Sequence, residues 1–429
     1  MLNKLKKISL GNWILIGMIL GLLFGLFLNF YVTNPLIKDI IFMDNIFYLG
    51  GTVFIRLMKM LVVPLVFFSI VVGVASISDI KTIGKIGGTT ILIYLITTAL
   101  AVTIALGVGM YLKPGIGLDM TSIAQSSNVT VNQTVTDTIL NIIPENPFSS
   151  LANGDMLPVI IFGLIIGIIL AKLRDETETF NKFFTEGNRI MMEMTSIIMK
   201  FAPIGVFCLM AKTFGSLGFD AIVPLGKYVG CVLIGLAIQA FVVYPGLLVI
   251  FARLNPITFF RKFFSVMFFA FSSSTSNATI PLNINKLEDM GVSRDVSSFT
   301  IPLGATINMD GTAIMQGVAV MFAAQAYGMD LGTSALLTVI FTAVMASVGT
   351  AGVPSVGLVT LTMVFNSVGL PVAAIGVIFG IDHILDMFRT AVNVTGDAIC
   401  TMIVSFRNNS FDREVFKGNK PPKKEKTIM

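Results

Sequence analysis

The chain has 429 residues, 55% of them hydrophobic and 12% charged, with a formal net charge of +5. A soluble domain carries roughly a quarter of its residues as charges, so this composition, with a mean hydropathy of +0.87, excludes a soluble globular protein and implies a polytopic membrane protein. One histidine, His383, and three cysteines scattered through apolar segments (Cys208, Cys231, Cys400) exclude a disulfide framework and a Cys/His metal cluster.

The first apolar run, ISLGNWILIGMILGLLFGLFLNF, follows Lys4, Lys6 and Lys7 and resembles a signal-peptide start. It is long and lacks a small-residue cleavage site, so it reads as a retained first span. Crossing a ~30 Å hydrocarbon layer takes about 20 apolar residues, and continuous runs without dyad alternation exclude a barrel in favour of helices. Basic residues in short loops place Lys81 and Lys85, Lys172 and Arg174, and Arg253, Arg261 and Lys262 on the cytoplasmic side. The tail after Phe406 joins them, with seven Lys/Arg against three Asp/Glu. No Lys or Arg lies between Lys113 and Lys172, so the polar piece TSIAQSSNVTVNQTVTDT, with its two N-x-T sequons, is placed outside. Both termini are then cytoplasmic, and eight crossings are expected, at 12–33, 46–77, 86–112, 132–172, 185–215, 219–252, 293–327 and 372–406.

Two apolar segments remain, 256–290 and 332–367, each beginning and ending on one side of the membrane. They must dip in and return. Their tips, FSSSTSNATIP (271–281) and ASVGTAGVP (346–354), are rich in small and polar residues and end in proline. Broken backbone at membrane depth is tolerated where it is buried in protein or lines a cavity, and helix ends there offer N–H groups to anions and C=O groups to cations. Each hairpin is followed by a related string, NMDGTA (308–313) and NVTGDA (393–398), both N-x-x-G-x-A. A hairpin followed by a helix, twice and from opposite sides, is the trace of an inverted repeat with a site near the midplane.

The last span holds the densest polar chemistry. On a helix Asp386, Arg389, Thr390, Asn393 and Asp397 fall within one narrow stripe, which Asp382 joins. Ionisable groups at membrane depth are costly and mark a pathway or a site. A purely structural Asp386–Arg389 ion pair would leave Thr390, Asn393 and Asp397 on the same face unexplained.

The serine-rich tip SSSTSNATIP, NMDGT, the second tip SVGTAGVP, the run D-x-x-RT-x-x-N-x-x-x-D and RLMKMLVVPLVF (56–67) occur in that order. On these motifs the chain resembles the glutamate transporter family, the dicarboxylate/amino acid:cation symporters, over essentially its whole length. The resemblance implies an all-α protein of eight transmembrane helices plus two re-entrant helical hairpins with inverted repeats, working as an elevator. It implies scaffold segments at 1–82 and 114–216, transport-domain segments at 83–113 and 217–408, a cytoplasmic basic tail at 409–429, and a homotrimer joined through the scaffold. It also implies a bacterial cytoplasmic membrane and sodium-driven import of L-aspartate or L-glutamate, with no organic cofactor.

For the substrate, the resemblance assigns the ammonium to Asp386, the distal carboxylate to Arg389, and the α-carboxylate to Asn393 and the first tip, Ser274 and Ser276. Thr312, Thr390, Val353 and Gly357 complete the pocket. A guanidinium fork suits a carboxylate, and a carboxylate accepts from an ammonium. Relatives for neutral amino acids lack this arginine and those for C4-dicarboxylates lack this aspartate, so having both favours an acidic amino acid. Three sodium sites are implied: Asp397 with carbonyls of Gly304, Asn308 and Asn393; carbonyls of Thr306, Ser347, Val348 and Thr350 near the Met309 sulfur; and Asp310 with Asn308, Tyr94, Thr97 and Thr98. Asn277 in the first tip and Phe388 beside Arg389 depart from the commoner pattern and bear on substrate rank order. Proton coupling, through His383, and C4-dicarboxylate transport are the competing readings. An ion channel would share buried charge and polar tips but not counterflow, and an intramembrane enzyme would need a nucleophile–base pair or a metal set.

Overall fold

The structure, a computed structural model, describes residues 10–32, 34–75, 84–118, 120, 143, 145–154, 156–173, 176–218, 222–348 and 356–421. The described chain is helical, and a lone antiparallel bridge, Val292 to Phe411, is its only extended pairing. Three helical segments among the described residues are long and apolar enough to cross a membrane: Leu36–Leu57, Ile86–Leu112 and Ile222–Ala252. A fourth candidate, Glu178–Met199 with Ala202–Ser216, is bent by 52°. The expected crossing at 185–215 is therefore two helices, and Pro203 at the start of the second accounts for the break, since proline removes a backbone donor.

The amino-terminal half begins with α1 (Leu10–Tyr31). A π-helical stretch, Leu36–Phe47, leads into α2 (Tyr48–Ala75). Then come α3 (Gly84–Leu112), α4 (Pro147–Asn153), α5 (Met156–Lys172), α6 (Glu178–Met199) and α7 (Ala202–Leu217). Helix α1 lies along α7 because glycines recur every four residues: Cβ atoms at Gly17, Gly21 and Gly25 would come within 2.4–2.6 Å of carbonyls of Pro203, Phe207 and Ala211. Small residues at this spacing let two backbones touch where lipid gives no hydrophobic drive. Helix α2 packs on α5, α6 and α7, with Phe67, Phe68, Phe162, Phe183 and Phe184 interleaved.

The carboxy-terminal half starts with α8 (Ile222–Ile238), which runs through a π turn (Gln239–Val243), α9 (Tyr244–Leu247) and a second π turn (Leu248–Ala252). The first hairpin is α10 (Pro256–Ser273) and α11 (Ser276–Asp289). Its entry is fixed by Asn255, whose side chain accepts from the N–H groups of Ile257 and Thr258, with Pro256 opening the helix. Its tip turns at Ser274, which has φ +50°, followed by extended Thr275.

The expected crossing at 293–327 is also two helices, α12 (Arg294–Ile307) and α13 (Asp310–Ala326), parted at Asn308 and Met309. The second hairpin supplies α14 (Thr333–Val348) and α15 (Val356–Ser367). Residues 349–355 of its tip, with Thr350 and Val353, lie outside the described residues, as do Lys81, Arg174 and the polar piece 121–138. Helix α16 (Ala373–Arg407) runs unbroken for 35 residues, and α17 (Arg413–Lys417) closes the described chain. The core centres on α13, buried along nearly its whole length between α3, α8, α14 and α16.

Candidate functional site

The break between α12 and α13 explains why polar groups gather in the core. A helix leaves its last carbonyls and first N–H groups without internal partners. Here both kinds of end meet beside the polar stripe of α16. Asn308 donates its N–H to the Gly304 carbonyl at 2.8 Å, and the Ser347 hydroxyl of α14 reaches the Ile307 carbonyl at 3.1 Å. On the other side of the break, the Gly311 N–H donates to the Asn393 side-chain oxygen at 2.7 Å. The glycines of the two N-x-x-G-x-A strings are both points of close approach. A Cβ at Gly311 would meet the Arg389 carbonyl at 2.7 Å, and one at Gly396 would meet the Tyr244 hydroxyl at 2.3 Å.

Arg389 is the largest fully buried side chain, 1% exposed. Its Nη1 donates to Asp382 and its Nη2 to Asp386, both at 2.6 Å, so one guanidinium joins two carboxylates along the same helix face. The stripe expected from sequence is thus assembled, and Asp382, assigned no role there, is one of Arg389's two anchors. The Arg389 Nε has no hydrogen-bond partner among the described residues. Thr390 donates to the Asp386 carbonyl at 2.8 Å. Ser274, Ser276 and Thr312 are buried, and α15 begins against Thr312, since a Cβ at Gly357 would lie 2.6 Å from its methyl group. Phe388, beside Arg389, stacks edge-on against Phe271 of the first hairpin with ring centroids 4.9 Å apart.

The residues expected at the three cation sites fall into connected groups. Asp397 accepts from the Asn308 amide at 2.9 Å, and Gly304 lies against the same carboxylate oxygen. Asn393 spends its side chain on Gly311 and on the Met309 sulfur, to which its amide donates at 3.2 Å, while its carbonyl lies within the unbroken α16. Thr306 turns its hydroxyl to the Leu303 carbonyl, and Val348 packs with Leu303 and Ile307. Asp310 accepts on Oδ1 from Thr98 at 2.7 Å and from Thr97 at 3.4 Å, and Thr97 also reaches Asn308 at 3.3 Å. Tyr94 donates to the Thr300 carbonyl at 3.0 Å and not to Asp310, and its hydroxyl lies against Gly304.

Sequence reasoning passed over two residues of this group. Gln239 and Tyr244 each donate to Asp310 Oδ2 at 2.9 Å. They were detectable as polar groups in an apolar span, but their five-residue spacing matches no face of an α-helix.

Helix ends, carboxylates and a buried guanidinium enclosed by apolar helices define an all-helical, multi-pass membrane protein built around a buried charged cluster. The chain belongs to the sodium:dicarboxylate symporter family, which matches residues 10–406. It is 35% identical over 418 residues, 96% of this chain and 97% of the relative, to the proton/sodium-glutamate symport protein of Geobacillus stearothermophilus. Over 419 residues, 95% of each chain, it is 34% identical to the proton/glutamate-aspartate symporter of Escherichia coli K12. It is 36% identical to the proton/glutamate-aspartate symporter of Bacillus subtilis 168 over 367 residues, 84% of this chain and 88% of that one.

Proposed function

We propose that this protein is a secondary symporter that imports L-aspartate or L-glutamate driven by a sodium gradient, and that the triad Asp382–Arg389–Asp386 is where the amino acid binds. The observation that carries the reading is the bridging of two carboxylates by a single buried guanidinium. Removing one partner of a buried ion pair costs about 3–5 kcal/mol, so Arg389 releases Asp386 only to something that replaces both halves of that contact. An acidic amino acid does so: its distal carboxylate takes Nη2 of Arg389, and its ammonium takes the freed Asp386. Asp382 keeps hold of Nη1 throughout and fixes the fork. The α-carboxylate is then left to Asn393, Ser274, Ser276 and the tip of the second hairpin, with Thr312, Thr390, Val353 and Gly357 around it.

In this reading Asp397, Asp310 and the helix-end carbonyls hold the co-transported sodium ions. Eight crossings and two re-entrant hairpins form a transport body (83–113 and 217–408) that slides as an elevator against a scaffold (1–82 and 114–216), in a homotrimer with both termini in the cytoplasm. The names of the relatives favour a second reading, proton-coupled glutamate/aspartate symport. A C4-dicarboxylate would leave Asp386 facing no ammonium, which weighs against that class.

A competition panel in proteoliposomes tests the substrate. Aspartate and glutamate should compete with labelled aspartate, whereas succinate and neutral amino acids should not, and counterflow should be saturable. Succinate competing as well as aspartate would reject the ammonium–Asp386 contact. Flux without counterflow would reject a carrier.

A further inference from the structure

Gln239 and Tyr244 belong to none of the cation sets above, yet they hold half of one cation-site carboxylate. Residues five apart lie about 140° round an α-helix and face different neighbours. Here Gln239–Val243 is a π turn, closed by the Tyr244 N–H donating to the Gln239 carbonyl, and the wider turn brings both side chains to one side. Both residues are fully buried, and both reach the same atom, Asp310 Oδ2. Single π turns within α-helices are rare and tend to occur at functional sites.

The two oxygens of Asp310 are therefore served by different helices. Oδ1 faces Thr97 and Thr98 of α3, while Oδ2 is held by the π turn. Gly396, from the second N-x-x-G-x-A string, leaves the space in which the Tyr244 hydroxyl sits. The Gln239 amide oxygen has no hydrogen-bond partner among the described residues, so this buried side chain is kept for the single bond it makes to Asp310.

We propose that Gln239 and Tyr244 are positioning residues for the cation bound at Asp310. By pinning Oδ2 they stop the carboxylate rotating, and so present Oδ1 to the pocket formed by Thr97, Thr98 and Asn308. The proposal rests on the sodium-coupled reading above. It assigns the π turn to cation affinity, not to substrate contact, because both side chains hydrogen-bond Asp310 and, among the described residues, neither hydrogen-bonds the Arg389 triad.

The test is a sodium titration of aspartate uptake in proteoliposomes for the wild type, Tyr244→Phe and Gln239→Leu, with the aspartate half-saturation at saturating sodium as comparator. Losing a hydrogen bond to a charged group should raise the sodium half-saturation on the order of tenfold, with a smaller shift in the aspartate value. The double variant should show less than the product of the two single effects, since both act on one oxygen. A residue that merely supports the fold would lower the amount of active protein and leave the sodium curve in place. If Tyr244→Phe does not fold, Gln239→Leu and Gln239→Met probe the same oxygen. Sodium curves that superimpose on a sodium-dependent wild type would overturn the proposal alone, as would equal shifts in both half-saturations. A wild type with no sodium dependence would overturn the coupling reading and this proposal with it.

Discussion

Arg389 holds two carboxylates while its Nε has no hydrogen-bond partner among the described residues, and each neighbour then has a separable job. Replacing it with cysteine leaves Asp382 and Asp386 without their common cation. Arg389→Cys should therefore abolish aspartate and glutamate uptake while the free Asp386 still accepts an ammonium, so some binding of neutral amino acids is expected. Unchanged affinity for both acidic substrates in a binding titration would remove the role. Asp382→Asn is the sharper probe, because Asp382 anchors the fork without facing the substrate in the reading above. It should weaken acidic-substrate affinity on the order of tenfold or more, the loss of one charge-assisted bond, and leave the preference for acidic over neutral substrates intact. Reversed preference would place Asp382 in direct contact with the amino acid. These residues were legible in the sequence because α16 is regular, so a period of 3.6 puts Asp382, Asp386, Arg389, Asn393 and Asp397 on one face. Gln239 and Tyr244 were not, because a π turn has a different period and hydropathy carries no trace of it.

At the scale of elements, runs of apolar residues told where helices lie but not where they bend. The 52° angle at Lys200–Phe201 and the parting at Asn308–Met309 each divide a segment that hydropathy reads as one span. The turn of the first hairpin was readable from its small polar tip, since those residues have definite backbone preferences. What escaped is the clip that ties the base of this hairpin to the carboxy-terminal segment. Asp412 donates its N–H to the Gly291 carbonyl at 2.7 Å and Ser293 donates to Ser410 at 3.0 Å, either side of the Val292–Phe411 bridge. Lys262 of α10 adds a bond to the Phe416 carbonyl at 2.6 Å, and Arg413 one to the Ala252 carbonyl at 2.8 Å. The described part of the tail read as merely basic is thus a structural strap. Gly291 is its tightest point, with φ +94° and an Asp412 oxygen 2.3 Å from where a Cβ would stand. Gly291→Ala should cost about 1–3 kcal/mol, combining the left-handed backbone with the clash. Thermal unfolding in detergent should show a lower midpoint, and trypsin should cleave at Arg407 and Arg413 sooner than in the wild type. An unchanged midpoint and digestion pattern would mean that the clip is not holding the hairpin base.

For the whole molecule the governing quantity is buried charge. Among the described residues the buried carboxylates are Asp310, Asp382, Asp386 and Asp397, against the single buried guanidinium of Arg389. With every carboxylate ionised, four negative charges and one positive leave three negative, and an acidic amino acid adds one more. Carrying such an excess through the low-dielectric interior is prohibitive without bound cations, so substrate movement must be coupled to sodium ions or to protons. The sodium reading proposed above follows from the donor set, since hard cations prefer oxygen donors and the α12–α13 break offers carbonyls beside Asp310 and Asp397. Potassium counter-transport is not expected. Gln316, buried on α13 in the turn after Asp310 and Thr312, is a neutral amide that donates to Thr360 at 2.8 Å and cannot take up and release a proton alternately with potassium. His383, the rival proton carrier, has a side chain outside the described residues. In proteoliposomes an inward sodium gradient at symmetric pH should therefore drive aspartate or glutamate accumulation, with no effect of internal potassium. Asp310→Asn and Asp397→Asn should each raise the sodium half-saturation or abolish coupling, because each removes one of the charges the ions neutralise. Accumulation that persists in choline buffer and follows an imposed pH gradient would assign the neutralising charge to protons instead. The same four carboxylates would then have to be searched for the group that binds them.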